Sequence, residues 1–114
     1  MNIIFGDAAD TVPDNFTKLE LDTIRTQGKT VVAYCLVDHI PLSEFPQVDS
    51  NRDLHNNLIK EYKNRNWKYC LDAIEHLKGA WNGEVDTFYD NLKHRIEQHQ
   101  VTVLSEDWDG VVDR

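Results

Sequence analysis

The side chains best suited to chemistry fall in two matched pairs, Asp72 with His76 and Asp90 with His94, each four residues apart. On a helix that spacing stacks a carboxylate and an imidazole on one face. Two such faces could offer two oxygens and two nitrogens to a metal ion. The helical angle decides otherwise. At about 100° per residue, both pairs lie opposite the apolar stripes of their helices, Trp67–Ile74 and Phe88–Leu92. They are expected on the surface, and no metal or other cofactor is called for.

The remaining candidates are single residues. His99 falls on the apolar side of its helix and His55 lies beside Leu54, positions suited to hydrogen-bonded, partly buried imidazoles. His39 adjoins Asp38 and the Ile40-Pro41 loop, where an acid–base group is conceivable. A pocket between sheet and helices would be lined by Tyr34, Cys35, His39 and His55. Nucleophilic chemistry has less support. Ser43, Ser50 and Ser105 sit in polar settings that suit caps and turns, with no G-x-S-x-G elbow. Five scattered glycines make no phosphate cradle. Cys35 and Cys70 lack metal or redox spacing and read as buried, reduced thiols.

Charge narrows the partners. The net charge is −8 over 114 residues, which disfavours nucleic acid and anionic membranes alike. One basic stretch, Lys60, Lys63, Arg65 and Lys68, is interleaved with Tyr62, Trp67 and Tyr69. That mixture can hold a single strand, but helical spacing turns the aromatics inward and leaves the bases on a solvated helix end. The first residues have neither the basic start nor the apolar stretch of a signal peptide, and no run reaches the ~18 apolar residues of a membrane span. A soluble, cytoplasmic protein is expected.

The elements that must position these residues divide into two halves. Ile3-Ile4-Phe5 begins as a strand. Thr17 to Arg25 alternates, with Leu19 and Leu21 on one face and Lys18, Glu20 and Asp22 on the other. Gln27-Gly28 punctuates it and Thr30 to Asp38 follows, which predicts a hairpin. The second strand is apolar on both faces: Val31, Ala33, Cys35 and Val37 on one, Val32, Tyr34 and Leu36 on the other. Helices could cover one face, and Ile40 to Phe45 or a second subunit the other.

Pro41 and Pro46 predict a loop over 39–49, with Ser50-x-x-Asp53 as a capping box. Three helices follow over about 50–99: Arg52 to Asn64, Trp67 to Lys78, and one carrying Val85, Phe88, Tyr89, Leu92 and Ile96. Trp81 extends the stripe of the second. Val101 to Leu104 suggests a last strand, and residues 105–114 an acidic, partly mobile tail. The predicted fold is one α+β domain over 1–104: a small antiparallel sheet, with strands and loops over 1–49, packed against about three helices.

Two resemblances emerge. The run Leu58-Ile-Lys-Glu-Tyr62 through Arg65-Asn-Trp67-Lys-Tyr-Cys70 to Ile74 and Leu77 resembles one tetratricopeptide helix pair. Ile59 stands where that family usually has Gly, and the turn is one residue short. The resemblance implies helix packing more than a peptide groove, since solenoids need about three repeats. Phe5-Gly-Asp-Ala, Leu19-Glu-Leu-Asp-Thr23, Ala33-Tyr-Cys35 with Ile40-Pro41, Leu54-His55 and Trp81-Asn-Gly-Glu-Val-Asp-Thr-Phe-Tyr89 together are similar to small uncharacterised proteins of marine tailed bacteriophages. That similarity implies an accessory viral protein inside an infected bacterium and carries no catalytic residue with it.

The expected function is therefore non-enzymatic: binding a protein partner or a second copy, through Val32, Tyr34, Leu36, Trp81 and Trp108. The alternative is a small enzyme or ligand-binding domain using the pocket named above.

Overall fold

The computed structural model describes residues 2–12, 16–37, 45–81 and 83–113. In chain order they form β1 (Asn2–Phe5), a 3-10 turn (Gly6–Thr11), β2 (Thr17–Thr26), β3 (Lys29–Val37), α1 (Phe45–Lys63), α2 (Trp67–Leu77), α3 (Asp86–Val101) and β4 (Val112–Asp113). This is the expected α+β arrangement of a small sheet and three helices.

The hairpin β2–β3 turns at Gln27 and Gly28, both left-handed at φ 51° and 76°. Two positive φ values make a primed turn, whose twist matches that of the flanking strands. From Thr26↔Lys29 the register runs to Thr23↔Val32, then shifts and resumes at Glu20↔Tyr34. A bulge thus sets Leu21 and Asp22 together against Ala33. It corrects the expected strict alternation. Leu19, Leu21 and Ile24 all pack on the core, and Asp22 turns to meet α3 instead of staying with Lys18 and Glu20.

The strand order is β1-β3-β2-β4. β1 and β2 pair antiparallel with β3, and β4 adds a short parallel pairing, Ile24↔Val112 and Arg25↔Asp113. β3 is therefore flanked by a strand on each edge, and its two apolar faces are covered unequally. Ala33, Cys35 and Val37 are buried with Leu19 and Leu21. Val32, Tyr34 and Leu36 lie on the opposite face, each half-buried, with Lys18 Nζ 5.1 Å from the Tyr34 ring centre. Of the segment 40–45 expected to cover that face, only Phe45 falls within the described residues.

The helices begin differently from the prediction. α1 starts at Phe45, so Pro46 opens the helix rather than breaking the chain. The first turn has no intrahelical acceptors for its N–H groups, so a proline there costs nothing. Ser50 is consequently inside the helix, not its cap. α1 and α2 form a helical hairpin across Asn64–Asn66, with Arg65 left-handed at φ 63°. The expected stripes are buried: Leu58, Ile59 and Tyr62; Cys70, Ile74 and Leu77; Phe88, Tyr89, Leu92 and Ile96.

The expected strand over 101–104 does not form. Val101 ends α3 and Val103 is 97% exposed, because the edge of β2 is taken instead by Val112 and Asp113. The acidic tail accordingly belongs to the domain. No helix among the described residues is long and apolar enough to cross a membrane.

Candidate binding groove

The helix layer leaves part of the sheet uncovered. Ile3 and Phe5 pair with Cys35 and Ala33, and directly paired residues share a face, so both point toward the helix side. They remain 46% and 53% exposed. Beside them lies a groove of about 760 Å³. Ile3, Phe5, Leu21, Ile24 and Ala33 line it from the sheet, and Phe88, Asn91, His94 and Arg95 from α3. Val112 joins from β4.

The polar side of the groove is organised by the bulge. Arg95 Nη1 and Nη2 donate to Asp22 Oδ1 and Oδ2 at 3.0 and 3.1 Å, a two-pronged pair that is about three-quarters shielded from solvent. The pair neutralises itself, so the groove presents an apolar surface with little net charge. That surface can take aliphatic or aromatic side chains. Its other polar lining groups are Thr26, Asn91 and His94, and its one carboxylate, Asp22, is committed to Arg95.

The buried polar groups are committed elsewhere. Trp81 Nε1 donates to Tyr89 Oη at 3.0 Å, and Tyr89 Oη lies 2.9 Å from His55 Nδ1. His55 Nε2 meets the Glu20 carbonyl oxygen, an acceptor only, so Nε2 carries the proton. Nδ1 then accepts from the tyrosine hydroxyl. Burial lowers the His55 pKa against the opposing pull of the Glu20 carbonyl and carboxylate, and burial raises that of Tyr89. The chain Trp81–Tyr89–His55–Glu20 thus ties the helices to β2 and has no reactive group to spare. Among the described residues no buried side-chain nitrogen or oxygen lacks a partner.

The tail is docked by a second cluster. Trp108 lies 5.4, 5.6 and 5.1 Å from the rings of Tyr62, Trp67 and His99, with the Arg65 guanidinium 5.4 Å from its ring centre. Arg65 also donates to the Ser105 and Trp108 carbonyls, and Arg25 pairs with Asp109 at 2.8 Å. Gly110, at φ 80°, passes so close to α1 that a Cβ would meet Lys63 Cγ at 3.1 Å. His99 is hydrogen-bonded to Tyr62 at 3.1 Å, and burial followed by the charge of Arg95 lowers its pKa.

Several predicted site residues move accordingly. Trp81 is 3% exposed and spends its N–H on Tyr89, so it is a core residue and not an interface residue. Trp108 is half-buried against the aromatic cluster, which leaves little of it for a partner. Tyr34 and Cys35 occupy opposite faces of β3, and His55 is fully buried. These three cannot line one pocket, and none of them lines the groove. His39 lies outside the described residues. Asp72, His76, Asp90 and His94 are exposed, with Asp90 paired to Lys78 at 2.7 Å. Among the described residues no group of three or more His, Cys, Asp or Glu could hold a metal. Burial pushes the Cys70 thiol up to about 12, which keeps it protonated. In the basic stretch, Lys63 pairs with Glu20 and the Tyr62 and Trp67 rings pack internally.

Sequence reasoning missed Ile3, Phe5, Asp22 and Arg95. One signal was present: Asn2-Ile-Ile-Phe5 has no charge in a chain that is 28% charged. No family model, curated protein or solved structure matches the chain.

Proposed function

We propose that this chain is a non-enzymatic interaction module that receives an extended segment of another polypeptide along β1. The segment's backbone would pair with the outer side of β1 while its apolar side chains enter the groove. The observation that carries the reading is the pair Ile3 and Phe5, half-exposed on an edge strand beside that groove. Edge strands are normally guarded by charge, proline or a bulge; β1 has none of these. Strand addition gains main-chain hydrogen bonds and takes its specificity from alternate side chains. The proposal extends to an accessory role inside an infected bacterium, the setting that the sequence resemblance to small marine phage proteins implies.

A second reading has the groove itself as its support. A volume near 760 Å³ lies in the range of small-molecule sites, roughly 300–1,000 Å³, so an apolar ligand is the rival occupant. Selection of a random dodecapeptide library against the immobilised protein separates the two. Enriched peptides should alternate apolar and polar residues, shift the amide resonances of β1 and lose binding to Phe5→Lys. Failure to enrich any such peptide, or shifts confined to Val32, Tyr34 and Leu36, would overturn the strand-docking reading.

A further inference from the structure

We infer that the carboxyl-terminal segment 105–113 is a strap that regulates the groove: closing it on β2 completes the groove wall, and filling the groove holds the strap closed. The inference rests on the strand-docking reading and names the regulation of that site. Val112 is the strap's contribution to the lining. It reaches the groove by pairing with Ile24, itself a lining residue.

The strap is fastened at one place and acts at another. Trp108 is not among the groove's lining residues; it sits in the cluster of Tyr62, Trp67 and His99. Beyond it, Asp109 pairs with Arg25 through side chains that are each about half-exposed. Gly110 then passes close to Lys63 and brings Val112 against the sheet.

Little else holds the segment. From Thr102 to Asp109 only Leu104 and Trp108 are even partly buried, and β4 is two residues long. Few buried apolar contacts and a short ladder mark a segment that opens locally while the rest of the domain stays folded. The rings that receive Trp108 come from α1, α2 and α3, so its seat persists when the strap leaves. Ile3, Leu21, Ala33 and Phe88 remain as groove wall in the same way. An occupant that touches Val112 therefore binds the closed form better than the open one. Linkage makes the effect reciprocal, so the occupant also favours closure.

A tethered ring tests this without the natural occupant. Asn91 is an exposed lining residue, and N-cyclohexylmaleimide on Asn91→Cys places an apolar ring in the groove. The native Cys35 and Cys70 are buried and react slowly. Amide exchange at Trp108 and Val112 should slow about fivefold or more against the same variant carrying N-methylmaleimide. The cyclohexyl label on Thr11→Cys, exposed and outside the lining, should leave exchange unchanged. Unchanged or faster exchange in the cyclohexyl-labelled Asn91→Cys would overturn the strap. The selected dodecapeptides give a second readout, and should bind Trp108→Ala about fivefold or more weakly than the native chain. Tyr89→Phe, which weakens the core outside both lining and strap, should bind them as the native chain does. Equal affinity for Trp108→Ala, or a loss that Tyr89→Phe matches, would remove the strap and leave the docking reading standing. If selection enriches no peptide, the docking reading falls and the tethered ring alone decides the strap.

Discussion

Replacing Tyr89 with Phe removes one oxygen and strands two buried groups. The Tyr89 hydroxyl accepts from Trp81 Nε1 at 3.0 Å and donates to His55 Nδ1 at 2.9 Å. Phenylalanine fills the same ring volume, so no large cavity opens and packing stays nearly constant. What remains is an indole N–H without an acceptor and an imidazole nitrogen without a donor. Each such buried group costs about 1–3 kcal/mol, so the substitution should cost roughly 2–6 kcal/mol. Against a total stability of about 5–15 kcal/mol for a domain, that loss is large. Urea unfolding followed by tryptophan fluorescence and far-UV circular dichroism measures it. Trp81→Phe supplies the control, because in that background Tyr89→Phe strands only the histidine. The second substitution should then cost about 1–2 kcal/mol less than in the native chain. A single-variant loss below about 0.5 kcal/mol, or strict additivity of the two, would refute the hydrogen-bonded chain as a determinant of stability.

Three further outcomes follow from the same structure. The pKa values of His55 and His99 are lowered in the folded state, so below the usual value of 6.5 the unfolded chain takes up their protons first. Their contribution should be complete above that pH and fall as pH drops through the folded values, by up to about 1.4 kcal/mol per pH unit for each proton; urea midpoints at pH 7.5, 6.5 and 5.5 should show a shallower loss for His99→Gln. Gln27→Asn should raise stability by roughly 0.5 kcal/mol, since Asn tolerates the left-handed backbone of a primed turn better than Gln, and an unchanged thermal midpoint would count against that turn. Gly110→Ala should destabilise by about 1–2 kcal/mol through its φ of 80° and its contact with Lys63, and amide exchange should rise first at Trp108 and Val112.

Much of this architecture was readable from local chemistry. The β2–β3 hairpin followed from alternation around Gln27-Gly28, and the helix stripes from their period, because neighbouring residues determine both. The bulge needed more. Leu19 and Leu21 are two apart but Ile24 is three beyond, and that change of phase was the available sign. From the sequence alone Pro46 looks like a breaker, because a proline reads alike before a helix and in its first turn. The two-residue β4 had only Val111-Val112 to mark it. The groove was least legible, since Ile3 and Phe5 look like any strand core until the strand order places them at an edge. Trp81 misled for the opposite reason: a large ring beyond a helix end reads as surface, and only the distant Tyr89 hydroxyl shows why it is inside.

The clasp of the carboxyl-terminal segment has a consequence for how the molecule comes into being. Arg25 and Asp109 are 84 residues apart along the chain, and Ile24 finds its sheet neighbour only at Val112. On a ribosome, the β2–β3 hairpin and the first two helices can therefore emerge while the far edge of β2 still lacks its neighbour. At Ile24 and Arg25 that edge offers main-chain groups to any nearby strand until residues 109–113 arrive to pair with it. Distant pairings of this kind slow folding, and exposed edges are where nascent chains associate wrongly. The docked tryptophan shortens that vulnerable interval, because once Trp108 settles on the α1–α2 turn it delivers the closing strand to within a few residues of its place.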